Sequence, residues 1–377
     1  MRVQILTSEE WVKQKETAQS LEQKFLNIML SEIELCRNTF TDNIVIIKGR
    51  PMSVSKGFIN DFMGACGLSG LAKQIKQVDN SEISAQILNS VRSAMKQNTD
   101  LYRIVVAPNN EVVSLVGTET ARLSNKSVFD LGEHIANKYG LDVIEAKTDN
   151  MGNSTLRLVS QQQVSVTGEN DEVHRFGISL RSEYGLTKVD NFALRLVCTN
   201  GMETTDNFGH FELKGISPQE ITQLFNHILS MKNNGFVPSN FVELVGKAKK
   251  TQASVLETET TIKSIIGRLG GFGANLDEEL AERLKSKFLA DYFPEYVQRK
   301  MELLAKGFDL DKMNAEQKKY IHCGHVTIWD LVNILTNFGS NQMGMKINEP
   351  LWLQIAGGKL LNAKHDLNSD IIGLLKL

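Results

Sequence analysis

The side chains best placed to do chemistry in this sequence are arginines that alternate with apolar residues. In the run from His174 to Arg181, period-two alternation sends Phe176, Ile178 and Leu180 to one face of a strand. Arg175, Gly177, Ser179 and Arg181 share the other. Leu156 and Leu158 oppose Arg157 and Val159, and Phe192 and Leu194 alternate with Ala193 and Arg195. A sheet built from these strands is expected to present Arg157, Arg175, Arg181 and Arg195 together. A planar guanidinium binds two oxygens at once, so such a face suits phosphate or carboxylate recognition. The competing reading is a solvated polar face, salt-bridged to Glu169, Glu172, Glu183 and Asp190, as a one-sided antiparallel sheet normally has. Arg195 lies inside a strongly apolar strand. It is expected to be partly buried against a carboxylate, with Glu183 or Asp190 as the nearest in sequence.

Other constellations point to ordinary structure. Gly64, Gly67 and Gly70 precede Lys73 without the spacing of a phosphate loop, and Gly270-Gly-Phe-Gly273 follows a helical stretch instead of a strand. Both read as helix ends and turns. His322-Cys323-Gly-His325 brings His and Cys together, but a zinc site needs about four ligands and the remaining histidines are scattered. No metal or cofactor is expected. No nucleophile elbow, zinc-protease or kinase pattern occurs, so the chain is not expected to be an enzyme.

Three segments must position these residues. Residues 1–98 read as a helical region: 8–40 carries Leu21, Phe25, Ile28, Met29, Ile33 and Cys36 at helical spacing, and 43–48 is a buried strand. Phe58, Ile59, Phe62 and Met63 mark a second helix. Ser81 caps a third, with Ile83, Ile87, Val91 and Met95 as its apolar stripe. Residues 99–215 read as the sheet core. A hairpin, 101–107 with 111–117, flanks Pro108-Asn-Asn. A helix follows, opened by Ser127-Val-Phe-Asp130 and closed at Gly140. Strands are expected at 142–147, 154–160, 163–167, 173–181 and 191–198. Residues 216–377 are helical again. Ser217-Pro-Gln-Glu220 combines an N-cap, a proline and a capping box. Helices are expected over 239–266, from Asp277, and from the capping box Thr327-Ile-Trp-Asp330. The fold class is α+β, a mostly antiparallel central sheet at about 100–200 flanked by helical regions.

Composition sets the outer bounds. The chain has 377 residues, 41% hydrophobic and 23% charged, enough to bury a sizeable core. Lys+Arg total 42 and Asp+Glu 44, a formal net charge of −2. Binding of nucleic acid by bulk charge is excluded; a local basic groove assembled by the fold is not. The four cysteines, Cys36, Cys66, Cys198 and Cys323, are far apart and form no C-x-x-C pair, as expected of reduced thiols. The first residues lack the apolar core of a signal peptide, and no membrane span is expected. The expected setting is cytoplasmic.

One stretch resembles a known family. Phe176-Gly-Ile-Ser-Leu-Arg-Ser-Glu-Tyr-Gly185, followed by Asn191-Phe-Ala-Leu-Arg-Leu-Val-Cys-Thr-Asn-Gly201-Met, looks like the phage and plasmid family called domain of unknown function 932. Its pattern is a strand, a Ser-x-x-x-Gly turn and then Arg-x-Val-Cys-x-Asn, which places Cys198, Asn200 and Gly201 in the motif. Asn110–Gly117 with Leu123-Ser-Asn125 and Phe129, Val54-Ser-x-x-Phe58, and Trp329-Asp-Leu-Val-Asn-Ile-Leu-Thr336 are similar to further stretches of that family. The resemblance implies a gene of phages, prophages or plasmids acting in a bacterial host. By analogy with phage annealing proteins, the expected function is single-stranded nucleic-acid binding, with annealing in replication or recombination as one form. Arg157, Arg175, Arg181, Lys188 and Arg195 would contact phosphates and Tyr184 would stack a base. A homo-oligomer is compatible with this. The alternative is a non-enzymatic structural or host-interaction protein of the mobile element.

Overall fold

The computed structural model describes residues 5–68, 80–95, 99–119, 123–165, 173–184, 186–195, 200–204, 210–213, 217–238, 240–254, 289–291, 293–307, 325–341 and 349–362, with a few single positions between them. The fold is α+β, with helices packed on several antiparallel sheets.

The first helix, α1 (Ser8–Ser20), opens with a capping box. The Thr7 hydroxyl accepts from the Glu10 amide, and the Glu10 carboxylate accepts from the Thr7 amide at 2.8 Å. Helix does not continue to residue 40. The chain turns instead into β1 (Lys24–Met29) and β2 (Ile33–Leu35), then α2 (Asn38–Thr41), β3 (Ile44–Ile47) and β4 (Arg50–Ser53). The apolar spacing of 21–36 fits both periods, and a partner strand decides between them. That partner is β5 (Leu101–Val106), which pairs with β1 along its whole length. The expected hairpin forms from β5 and β6 (Val112–Gly117), giving the sheet β1-β5-β6 beside β2-β3-β4.

Two helices cover these sheets, α3 (Lys56–Ala65) and α4 (Ser81–Ala94). Asn80, one residue before Ser81, caps α4: its carboxamide oxygen accepts from the amides of Glu82 and Ile83. The helix is turned the opposite way from the expected stripe. Ser84, Ala85 and Leu88 are buried, while Ile83 and Ile87 are each 46% exposed. Asn89 explains the orientation. Its carboxamide accepts from the Leu35 amide at 3.0 Å and donates to the Leu35 carbonyl at 2.7 Å, clamping the helix to the edge of β2. Ile28, Ile33, Val45, Phe58, Phe62, Leu88 and Ile104 form the core between these layers.

The larger core lies on the second sheet. Helix α5 (Asn125–Tyr139) starts three residues before the expected box at Ser127: Ser124 is the N-cap, its hydroxyl accepting from the Ser127 amide, while the helix ends on Gly140 at φ 66° as the sequence predicts. Then come β7 (Leu141–Thr148), β8 (Ser154–Ser165), β9 (Val173–Glu183), β10 (Leu186–Arg195), β11 (Asn200–Thr204) and β12 (Phe211–Leu213). The order is β11-β10-β9-β8-β7, with β12 on the other half of β10's free edge. The two strands expected at 154–160 and 163–167 are one bulged strand, and β10 begins five residues before 191.

One face of this sheet presents Leu156, Leu158, Phe176, Ile178 and Leu180 to the main core. That core is shared with α1, α5, α6 (Pro218–Asn233), α7 (Phe241–Lys250), α8 (Pro294–Ala305), α9 (Ile328–Asn341) and α10 (Glu349–Asn362). The capping boxes at Ser217 and Thr327 both form. The helix expected over 239–266 stops at Lys250, where β13 (Gln252–Ser254) pairs with β14 (His325–Thr327). The helix expected from Asp277 lies outside the described residues.

The hairpin β5–β6 thus packs with residues 28–95, and α1 with the later sheet. A small third cluster joins the two: Val105, Ala107 and Val113 of the hairpin against Phe25, Met151 and Tyr184.

Gly177 sets the spacing of the sheet. A Cβ there would sit 1.9 Å from the Leu158 carbonyl oxygen and 2.6 Å from the Val159 Cα, backbone atoms that cannot step aside. Gly177→Ala should therefore cost about 3 kcal/mol of stability or abolish folding, measured by denaturant unfolding. An unchanged midpoint would show that the bulge near Val159 can reseat.

Candidate functional site

Register decides which arginines share a face. Arg157 lies opposite Ser179, Ser179 opposite Asp190, and Gly177 opposite Phe192. Arg157, Arg175 and Arg181 therefore stand together on the face that points away from the main core, with Asp142, Glu145, Lys188, Asp190 and Phe192. Arg195 does not join them. It pairs with His174, so it projects from the opposite face, among the core side chains. The expectation of four arginines on one surface is corrected to three.

That surface is not solvated either. Arg157, Arg175 and Arg181 are each 6–7% exposed, and Ser179, Asp190 and Phe192 are buried beside them. Each guanidinium meets an acid from its own or another strand. Arg157 Nη1 is 2.6 Å from Glu145 on β7, and its Nη2 donates to the side-chain oxygen of Gln354 on α10. Its guanidinium also lies 4.8 Å over the Phe192 ring. Arg175 reaches across β8 to Asp142 and donates from Nε to the Ser160 carbonyl. Arg181 Nη2 is 2.5 Å from Asp190, and its Nη1 is 3.3 Å from Glu183. Two carboxylates named in the competing sequence reading, Glu183 and Asp190, thus belong to Arg181, while the expectation of a solvated face is overturned by burial on both sides.

Asp190 is the centre of the densest network. It is fully buried and also accepts from His210 Nδ1 at 2.6 Å. Burial pushes the Asp190 carboxyl up, but the hydrogen bond from His210 and the charge of Arg181 outweigh it, and the group lies below its ordinary value. The same bond to Asp190 holds His210 above 6.5. Glu145 follows the Asp190 pattern: burial raises it, and the charges of Arg157 and Lys147 bring it below the usual range.

The other expected contacts are dispersed. Tyr184 sits in a left-handed turn at φ 49°, and its amide donates to the Asn153 carboxamide oxygen. Its ring packs with the hairpin cluster, and burial raises its hydroxyl. Lys188 lies opposite Arg181 on β10 and is half-buried. Asn200 and Gly201 open β11, opposite Arg195 and Leu194. Cys198 and His322-Cys323 lie outside the described residues, and His325 stands in β14. Among the described residues no group of His, Cys, Asp or Glu could hold a metal ion, and no helix is long and apolar enough to cross a membrane.

Arg195 is half-buried and lines a cleft between the sheet and α9, with His174, Trp329, Asn333 and Thr336. The cleft has room for about one water-sized body, about 10 Å³, and is partly open to solvent. His174 anchors its floor through an aromatic box, with ring centroids 5.6 Å from Phe241 and 6.2 Å from Trp329.

A second arrangement escaped the sequence reading. On the outer side of α5 and α6, Lys138 Nζ lies 4.4 Å over the Phe225 ring and 5.6 Å from Tyr139. Lys232 Nζ is 5.4 Å from the same Tyr139 ring. The exposed His134 stands edge-on to Phe225, with centroids 5.4 Å apart. Neither ammonium has a carboxylate partner among the described residues. Their places in the last turns of two helices favour a cation in any case. The signal available in the sequence was the i, i+4 pair His134 and Lys138; its meeting with Phe225 and Lys232 is tertiary.

The chain matches no family model, no curated protein and no solved structure. The resemblance drawn above therefore rests on its quoted strings alone.

Removing the central acid tests the network. Asp190→Asn should cost about 3 kcal/mol, because it leaves the buried Arg181 with only the longer contact to Glu183 and removes the acceptor of His210. The His210 contribution has a definite sign. Its folded value is raised, so its stabilisation is complete below pH 6.5 and is lost as pH rises through the folded value. The Asp190 contribution is complete above pH 3.8 and is lost as pH falls through its lowered folded value. Unfolding free energy measured from pH 5 to 9 should decline in the wild type, and that decline should be absent in His210→Gln. An identical pH profile in both proteins would disprove the coupling.

Proposed function

We propose that this chain is a nucleic-acid-binding protein that takes single strands, in the phage or plasmid setting that the sequence resemblance implies. The observation that supports it is the pair of carboxylate-free ammonium groups, Lys138 and Lys232, flanking the Tyr139 ring with Phe225 beside them. Cations beside an accessible aromatic ring suit a single strand: the ammoniums neutralise phosphates, and the half-buried Phe225 ring offers surface to an unpaired base, while Tyr139 is buried beneath them. The buried arginines Arg157, Arg175 and Arg181 take no part in this reading. Moving them toward phosphate would strip Glu145, Asp142 and Asp190 of their counter-charges inside the sheet.

Two lysines neutralising two phosphates set the salt dependence. For single strands the slope of log K against log salt should be about −1.4, from roughly −0.7 per phosphate. Fluorescence anisotropy of a labelled oligonucleotide, on nuclease-treated protein at several salt concentrations, measures it. Lys138→Glu with Lys232→Glu should abolish binding, with the far-ultraviolet spectrum unchanged because both side chains are exposed. A salt-insensitive complex, or one that survives the double substitution, would remove this reading.

A further inference from the structure

We infer that His134 is a third phosphate contact on the face formed by α5 and α6, one that carries charge only when its imidazole is protonated, so that this face holds a single strand more tightly at low pH. The inference rests on the strand-binding reading above and adds to it a residue and a dependence on pH.

Helical spacing and one tertiary contact place His134. It lies one turn before Lys138 on α5, and side chains at i and i+4 are neighbours on one helix face. Both meet the same ring of α6. Lys138 Nζ lies 4.4 Å over Phe225, and the His134 ring stands at 78° to that ring with centroids 5.4 Å apart. Lys232 of α6 has its Nζ 5.4 Å from the ring of Tyr139, the residue that follows Lys138. Three nitrogen-bearing side chains thus gather around two aromatic rings, and all three are exposed.

The charges around His134 leave its imidazole to a ligand. On α5 the carboxylates nearest in sequence are Asp130, one turn earlier, and Glu133. Both are drawn to Lys15 of α1, at 2.5 and 3.4 Å. On α6, Glu220 is held in its capping box, accepting from the Ser217 hydroxyl at 2.9 Å. The other charges on this face are the ammoniums of Lys138 and Lys232. Among the described residues no hydrogen bond or ion pair holds the His134 ring. An imidazole ordinarily changes charge between about pH 5 and 8, a range in which both lysines stay charged. A phosphate within hydrogen-bond reach favours the charged form. Strand binding is then coupled to proton uptake. The sign follows: affinity is highest at low pH, where the third cation is present, and falls as pH rises and the imidazole turns neutral.

Counting phosphates makes this measurable. Anisotropy of a labelled single-stranded oligonucleotide is titrated with nuclease-treated, full-length protein across a salt series at about pH 5.5 and about pH 8.5. At roughly −0.7 per phosphate, the slope of log K against log salt should be about −1.4 at the higher pH and about −2.1 at the lower. At about 0.1 M salt the extra contact makes binding about fivefold tighter at the lower pH. His134→Gln should give the shallower slope and one affinity at both pH values. His134→Lys should give the steeper slope at both, which shows that charge, and not the shape of the ring, is what the strand reads. Equal wild-type slopes at the two pH values, or a pH difference that persists in His134→Gln, would overturn the inference and leave the two-lysine reading standing. No binding at either pH would remove that reading and this inference together.

Discussion

A guanidinium taken out of water must meet a carboxylate, and the second sheet is organised around that requirement. Arg157, Arg175 and Arg181 are buried between strands and their coverings, and each spans to an acid on its own strand or another. The pairs tie β7 to β8, β7 to β9, and β9 to β10. They act as cross-strand rungs where a second apolar face would otherwise be needed. Asp190 carries the largest share, because Arg181 and His210 both converge on it and neither can be released without leaving charge in the interior. The His210 bond also fastens the start of β12, which otherwise has only three paired residues on β10.

The same constraint explains which parts of the sheet could be read from sequence. Alternation assigned Phe176, Ile178 and Leu180 to the core and Arg175, Ser179 and Arg181 to the opposite side, and the structure places them so. Alternation within one strand says nothing about register between strands. Arg195 is indistinguishable from the others in sequence because only its pairing with His174 sets the face on which it stands. A polar face is also taken as solvated by default. Here the acids that cover the arginines, Asp142 and Glu145, lie in β7, far from them in sequence.

Local signals fared according to how local the physics is. The capping boxes at Ser217 and Thr327 and the closing glycine at residue 140 all formed, since each is decided within four residues. The run 21–36 reads as helix from sequence because its apolar spacing suits either period until β5 supplies a partner. On α4, four apolar residues at helical spacing, Ile83, Ile87, Val91 and Met95, indicate a core face, yet Asn89 clamped to the Leu35 backbone turns the first three outward. One side chain making two hydrogen bonds to an otherwise open strand edge outweighed a stripe of three, because unpaired edge groups are costly once the helix covers them.

A formal charge of −2 does not say which cations stand uncompensated at the surface, and the ion-pair rungs show why. Total charge counts buried arginines and surface lysines alike, but only groups free to exchange water for phosphate contribute to binding. The rungs remove Arg157, Arg175 and Arg181 from that set together with their acids, so they cancel inside the fold. What is left for the surface are cations that have no carboxylate partner among the described residues. Lys138 and Lys232 are such a pair, and the aromatic rings beneath them lower the cost of holding the two charges close together. The sequence could not bring them together, because the contact depends on the C-terminal end of α5 meeting Phe225 and Lys232 of α6, over a sheet whose own charges are already balanced.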